Sequence, residues 1–154
     1  MRLLAIAFVG IFCACKSERP HVPELAIIHR VEVLKFPEYT LDGNEWDGEH
    51  GEERPDISIT LTHGQDTFSL GPLQTNAVGE LVFNSGDLPI TLNNPQLLTI
   101  LELFDEDKNG NDAMGKMSFR IWSDSSSLRS KKIRVHSSDR TTELELHFTL
   151  RFNH

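Results

Sequence analysis

The chain has 154 residues, of which 38% are hydrophobic and 25% are charged, enough for one hydrophobic core but too little for two full domains. With 23 acidic and 15 basic residues the formal charge is −8. This charge argues against nucleic-acid binding as the main task, because neutralising phosphates takes lysine and arginine. Both cysteines, Cys13 and Cys15, lie in the first fifteen residues, which excludes a disulfide framework or a cysteine-based zinc site in the rest of the chain.

The first 14 residues have the pattern of a secretory signal peptide. A positive start at Arg2 precedes an apolar run over residues 3–12, which is too short for a permanent transmembrane helix. The pair Ala14-Cys15 resembles a bacterial lipoprotein processing site. That resemblance implies cleavage after Ala14, diacylglycerol and palmitate on Cys15, a tether over residues 15–24, and attachment to a cell-envelope membrane, for which we expect the outer membrane with its side left open. An ordinary signal peptide with an incidental cysteine is the alternative.

From residue 25 to residue 154 the hydrophobic period is mostly two, which indicates half-buried β-strands. Glycine, proline, asparagine, aspartate and serine separate the strands, and no segment carries a sustained helical stripe. We therefore predict one all-β domain, a single antiparallel Greek-key β-sandwich of about eight strands. The candidate strands are 27–36, 56–63, 67–70, 80–83, 88–92, 97–104, 117–122, 132–136 and 143–152.

Acidic residues concentrate in two segments, 38–56 and 102–112, and each follows an apolar strand. Carboxylates crowded at one end of a sandwich repel one another, and Ca²⁺, which takes six to eight oxygen ligands, would relieve that repulsion. A solvated acidic surface is the plainer interpretation. The run from Asp105 to Gly110 matches the first half of an EF-hand loop, but the twelfth position is Lys116 and the flanking segments are predicted strands, so an EF-hand is rejected.

The acidic segments contain two motifs, Phe104-Asp105-Glu106-Asp107 followed by Asp112-Ala113-Met114-Gly115, and Trp46-Asp47 followed by Pro55-Asp56. The former resembles the third calcium-binding loop of C2 domains, and the latter resembles the first. The resemblance spans residues 27–152. It implies a C2-like sandwich and a Ca²⁺ site whose carboxylate ligands are Asp47, Asp56, Asp105, Asp107 and Asp112.

Other chemistry finds little support in the sequence. The chain has no G-x-S-x-G elbow, no glycine-rich phosphate loop and no histidine pair spaced for zinc, so we predict that the protein is not an enzyme. The leading hypothesis is a lipid-anchored C2-like domain that makes calcium-dependent contact with a membrane, through anionic phospholipid, or with a protein partner. The rival is a metal-free interaction module whose acidic loops bind a basic protein, and a carboxylate-based enzyme is a weaker third option.

Overall fold

A computed structural model describes residues 22–40, 43, 46, 54–71, 73–84, 88–107, 110–123 and 131–152, with the backbone alone at 107 and 110. The described residues form nine strands and no helix, and none of them belongs to a helix that could cross a bilayer. The strands are β1 (Leu25–Lys35), β2 (Ile57–His63), β3 (Asp66–Ser69), β4 (Leu81–Phe83), β5 (Ile90–Asn93), β6 (Thr99–Asp107), β7 (Gly110–Phe119), β8 (Lys132–His136) and β9 (Glu143–Arg151).

The strands form two antiparallel sheets, which confirms the predicted all-β sandwich. One sheet has the order β4-β1-β9-β8, with β5 paired to the first half of β1, and the other has the order β3-β2-β6-β7. The two ends of the domain meet in the first sheet, where β1 pairs with β9 from Leu25 opposite Arg151 to Lys35 opposite Glu143.

Alternation along the strands builds the core between the sheets. Buried and partly exposed residues alternate throughout β2, and the same holds for most of β9. Since successive side chains of a strand point to opposite faces, one face of each sheet supplies apolar side chains to the interior. Members of this core from the two sheets include Ile57, Ile59, Leu61, Leu144, Leu146 and Phe148.

The second acidic segment differs from its prediction, because it forms a hairpin and not a loop. Strand β6 continues to Asp107 and β7 begins at Gly110, well before the predicted start at residue 117. Asp105 therefore lies directly opposite Asp112, within the ladder. Backbone pairing across the hairpin outweighs the poor β-propensity of aspartate, asparagine and glycine here. A register shift between Leu103 and Phe104 interrupts the ladder beside Met114.

The sandwich has two ends with different chemistry. The acidic pole contains the start of β2, the end of β6 and the start of β7, and carries Asp56, Asp105 and Asp112. The distal pole contains the end of β2, the end of β5 and the start of β6. There the buried His63 joins the sheets: its Nε2 donates to the Asn93 carbonyl at 2.7 Å, and its Nδ1 is hydrogen-bonded to the Thr99 hydroxyl at 2.8 Å.

Candidate calcium site at the acidic pole

Two aspartates that are 49 residues apart in the chain meet at the acidic pole. The backbone N–H of Asp56 donates to Oδ1 of Asp105 at 2.7 Å, and the N–H of Glu106 donates to the Asp56 carbonyl at 2.9 Å. Asp105 is completely buried. A buried carboxylate is costly unless hydrogen bonds compensate it, and a bond from a backbone N–H to an ionised carboxylate is among the stronger ones. The Asp105 carboxylate thus links the residue before the start of β2 to the end of β6.

The Asp56 carboxylate fixes a neighbouring turn. Its Oδ1 accepts the N–H of Asn76 at 2.8 Å, and the N–H of Ala77 donates to the Pro55 carbonyl at 2.8 Å. Asn76 has a positive φ of 50°, a conformation that asparagine tolerates better than most residues. Because Asn76 follows the short bridge between Gln74 and Ile57, residues 74–77 are held beside the acidic residues.

The structure brings together the predicted ligands that it describes. Asp56 is half-buried, Asp105 is buried and Asp112 is exposed, and all three lie at the acidic pole. The side chain of Asp107 and the whole of Asp47 lie outside the described residues. We expected the two acidic segments to reach the same end of the sandwich, and Asp56 and Asp105 do so. Their role as Ca²⁺ ligands stays a prediction.

The donor chemistry of this pole fits a hard cation, since every donor is a carboxylate oxygen. Asp56, Asp105 and Asp112 do not, however, place three ligand oxygens within 4.8 Å of one another. One oxygen of Asp56 and one of Asp105 already accept backbone N–H groups. A complete Ca²⁺ coordination sphere therefore requires oxygens beyond those of these three residues.

Within the described part of the chain, one group of three side chains does meet that distance, and sequence reasoning missed it. Glu32 in β1 lies directly opposite Glu145 in β9, and His147 lies two residues further on the same face. The Nε2 atom of His147 is 3.0 Å from Oε1 of Glu32 and 3.2 Å from Oε1 of Glu145. We call these three residues the sheet-face cluster.

Basic side chains already neutralise the sheet-face cluster. Arg30 pairs with Glu32 at 2.7 Å, and Lys132 pairs with Glu145 at 2.9 Å, while Arg134 lies 3.3 Å from the second oxygen of Glu145. The hydrogen bond from Lys132, followed by its charge and by the bond from Arg134, lowers the pKa of Glu145. This cluster is therefore an ion-pair network across β1, β9 and β8. The alternating charges of β8 and β9 were visible in the sequence, but their partner in β1 depends on the register.

The turn between β8 and β9 fastens the acidic hairpin to the other sheet. The carboxylate of Asp139 accepts a hydrogen bond from the hydroxyl of Ser137. It also accepts hydrogen bonds from the N–H of Thr141 at 3.0 Å and from the Thr141 hydroxyl at 2.9 Å. Together these hydrogen bonds lower the pKa of Asp139 to about 2. Next in the chain, the buried Thr142 donates its hydroxyl to the carbonyl of Met114 at 3.0 Å. Met114 itself is buried at this contact.

Comparison with solved structures identifies the class of fold. A structure described as a C2 domain superimposes with a TM-score of 0.56 at 14% identity, covering 83% of this chain and 98% of that one. A C2 domain protein from Ramazzottius varieornatus gives 0.53 at 13%, covering 84% and 91%. The pair of C2 domains of Extended-Synaptotagmin 2, described as calcium bound, gives 0.53 at 16%, covering 83% and 46%.

The chain therefore has a C2-like β-sandwich fold, as its sequence predicted. At these identities the likeness establishes the fold alone. No protein-family model matches the sequence, and no curated protein matches it either.

Proposed function

We propose that the mature protein is a lipid-anchored, non-catalytic protein of a bacterial envelope membrane, expected to be the outer membrane. Its C2-like domain would bind Ca²⁺ at the acidic pole and use it for contact with a membrane or a protein partner. The observation that carries this proposal is the convergence of Asp56 and Asp105, joined by a 2.7 Å hydrogen bond, with Asp112 paired to Asp105 across the hairpin.

Electrostatics supports a cation at this pole. Three aspartates lie at the same pole, one of them buried, in a chain whose formal charge is −8. Like charges at short range disfavour the compact arrangement, and a bound divalent cation would offset that repulsion. The third structure compared above shares the fold and is described as calcium bound, which supports the same class of ligand here. The anchor is inferred from the Ala14-Cys15 motif.

A calcium titration followed by thermal unfolding tests the metal site. Ligand that binds only the folded state stabilises it by about 2.7 kcal/mol at a hundredfold excess over Kd. For a domain of this size that corresponds to a rise in Tm of roughly 5–10 °C. Asp112→Asn should abolish most of this rise, because it removes an exposed ligand without touching the core. The matched control is Asp66→Asn, which removes an exposed carboxylate at the start of β3, at the distal pole.

An unchanged Tm at millimolar calcium, or an equal rise in the Asp112→Asn and parent proteins, would refute calcium binding at the acidic pole. The anchor is tested separately by the mass of the N-terminal peptide, which should begin at Cys15 and carry acyl chains. A peptide that begins elsewhere, or an unmodified Cys15, would refute the lipoprotein assignment.

A metal-free interaction module is the second candidate, and one observation favours it. The carboxylates of Asp56 and Asp105 already accept backbone N–H groups and so organise the pole without a cation. This candidate predicts no calcium response and a basic protein partner, whose binding weakens as ionic strength rises. The calcium titration therefore separates the two candidates.

A further inference from the structure

The distal pole exposes a group of large apolar side chains. Four side chains there are between 40% and 47% exposed: Val22, Leu97, Leu98 and Phe152. Backbone hydrogen bonds tie these segments together, from Glu24 to Arg151, from Asn94 to Glu24 and from Trp122 to Pro95. The ring of Trp122 packs edge to face against Phe152, with centroids 6.0 Å apart. Four separate parts of the chain therefore bring these apolar side chains to the same pole.

The chain leaves the domain toward Cys15 at this same pole. Val22 precedes Glu24, whose N–H and carbonyl bond to Arg151 and Asn94 at the distal pole. Seven Cα-to-Cα steps connect Cys15 to Val22, which span about 25 Å at most when fully extended. Strand β1 alone, with 11 residues, is about 36 Å long and runs from the distal pole to the acidic pole. The tether is therefore too short to bring the acidic pole back to the bilayer that anchors Cys15.

We propose that the distal pole rests on the bilayer that holds Cys15, with Leu97, Leu98 and Phe152 at the lipid surface. The acidic pole then points away from that bilayer. This inference depends on the proposed lipid anchor. It also specifies the proposed function, because a calcium-dependent contact made by the acidic pole must then be with a second surface.

Charge does not oppose this orientation. At the distal pole the exposed Arg120 and Arg151, which can face anionic headgroups, balance the exposed Glu24 and Asp66. Other exposed apolar residues lie nearer the acidic pole: Tyr39 follows β1, and Leu73 and Val78 flank residues 74–77. The carboxylate of Asp56, which an anionic bilayer repels, is hydrogen-bonded to the turn between Leu73 and Val78. Among the described residues, exposed apolar side chains, balanced charge and the start of the tether coincide at the distal pole.

The two described tryptophans provide a direct test. Trp122 lies at the distal pole, whereas Trp46 is buried and donates its indole N–H to the carbonyl of Pro37, just beyond the acidic end of β1. The mature lipidated protein is reconstituted in vesicles of phosphatidylethanolamine and phosphatidylglycerol with brominated acyl chains, without calcium. We expect loss of Trp122 emission and unchanged Trp46 emission. Trp122→Phe should therefore remove the quenching, and the difference from the parent protein isolates Trp122 without altering the buried Trp46.

A pair of matched double variants tests the surface itself. Leu97→Gln with Leu98→Gln should restore Trp122 emission while the protein still floats with vesicles through Cys15. Leu73→Gln with Val78→Gln, at the other end of the domain, should leave the quenching intact. Unquenched Trp122 in an acylated, vesicle-bound protein would overturn the orientation but not the anchor, and so would quenching confined to Trp46. An unacylated Cys15 that does not float would overturn both.

Discussion

Alanine at position 115 tests how tightly the β6–β7 hairpin is fastened to the opposite sheet. Gly115 lies in β7 opposite Leu103, next to the register shift of the hairpin. A Cβ atom placed there would lie 2.5 Å from Oγ1 and 2.8 Å from Cβ of Thr142. Thr142 is completely buried, and its hydroxyl is bonded to the Met114 carbonyl. Only glycine leaves room for this approach.

Gly115→Ala must therefore displace Thr142. Overpacking of a close-packed interior costs about 1–3 kcal/mol. Losing the hydrogen bond to Met114 while its carbonyl remains buried adds about 1–3 kcal/mol. We expect a total loss of roughly 2–6 kcal/mol in the free energy of unfolding. For a domain of this size the loss corresponds to a fall in Tm of roughly 5–25 °C.

Urea unfolding of a double-mutant cycle measures this steric coupling. Thr142→Gly removes both atoms that the new Cβ would strike, so adding Gly115→Ala to that variant should cost little. We expect a coupling energy of at least about 1 kcal/mol between the two positions. If Gly115→Ala destabilises the parent and the Thr142→Gly protein equally, close approach to Thr142 is not the reason that glycine is needed.

Two further predictions concern stability. The pKa of Asp139 is about 2 in the folded protein, below the ordinary value of 3.8. The ionised carboxylate therefore stabilises the fold above about pH 4, and this stabilisation disappears as the pH falls toward 2. Asp139→Asn should flatten the loss of stability between pH 4 and 2, measured as urea midpoint against pH; an unchanged acid profile would contradict this. His63→Ala should lower the free energy of unfolding, measured with urea, by roughly 2–4 kcal/mol. The substitution leaves a cavity and removes the hydrogen-bond partner of the Asn93 carbonyl and of the Thr99 hydroxyl. A loss below about 1 kcal/mol would contradict the role of His63 in joining the two sheets.

The sequence predicted the strands because burial on one face leaves a period of two. Leu144, Leu146 and Phe148 show this most clearly, and all three are buried in β9. Alternation does not specify which strands pair. Nothing local to Leu25 or Arg151 indicates that these two residues, from opposite ends of the domain, lie side by side. That pairing follows from global packing of the two sheets.

The candidate site was predictable only in part. The approach of Asp56 to Asp105 was expected from the resemblance to C2 domains, and the structure places them in contact. The length of the β6–β7 hairpin was missed because its tip is rich in residues with low β-propensity, and pairing energy decided the outcome. The sheet-face cluster was missed because Glu32 and Glu145 become neighbours only once the β1–β9 register is set.

That register also explains how charge is distributed over the molecule. Glu32 and Glu145 lie directly opposite one another, a pairing that destabilises a sheet unless cations intervene. Arg30 and Lys132 supply those cations, and Arg134 also pairs with Glu143. Lys132 and Arg134, the basic residues of β8, are therefore paired with carboxylates of their own sheet.

Charge compensation on the outer face of the β1–β9–β8 sheet contrasts with the acidic pole. There, the Asp56 carboxylate accepts the backbone N–H of Asn76, and Asp112 is exposed. Asp56, Asp105 and Asp112 therefore lie at the end that points away from the proposed anchor. A cation or a basic partner on the far side of the domain from that anchor would meet these carboxylates, so the short tether and the acidic pole together favour contact with a second surface.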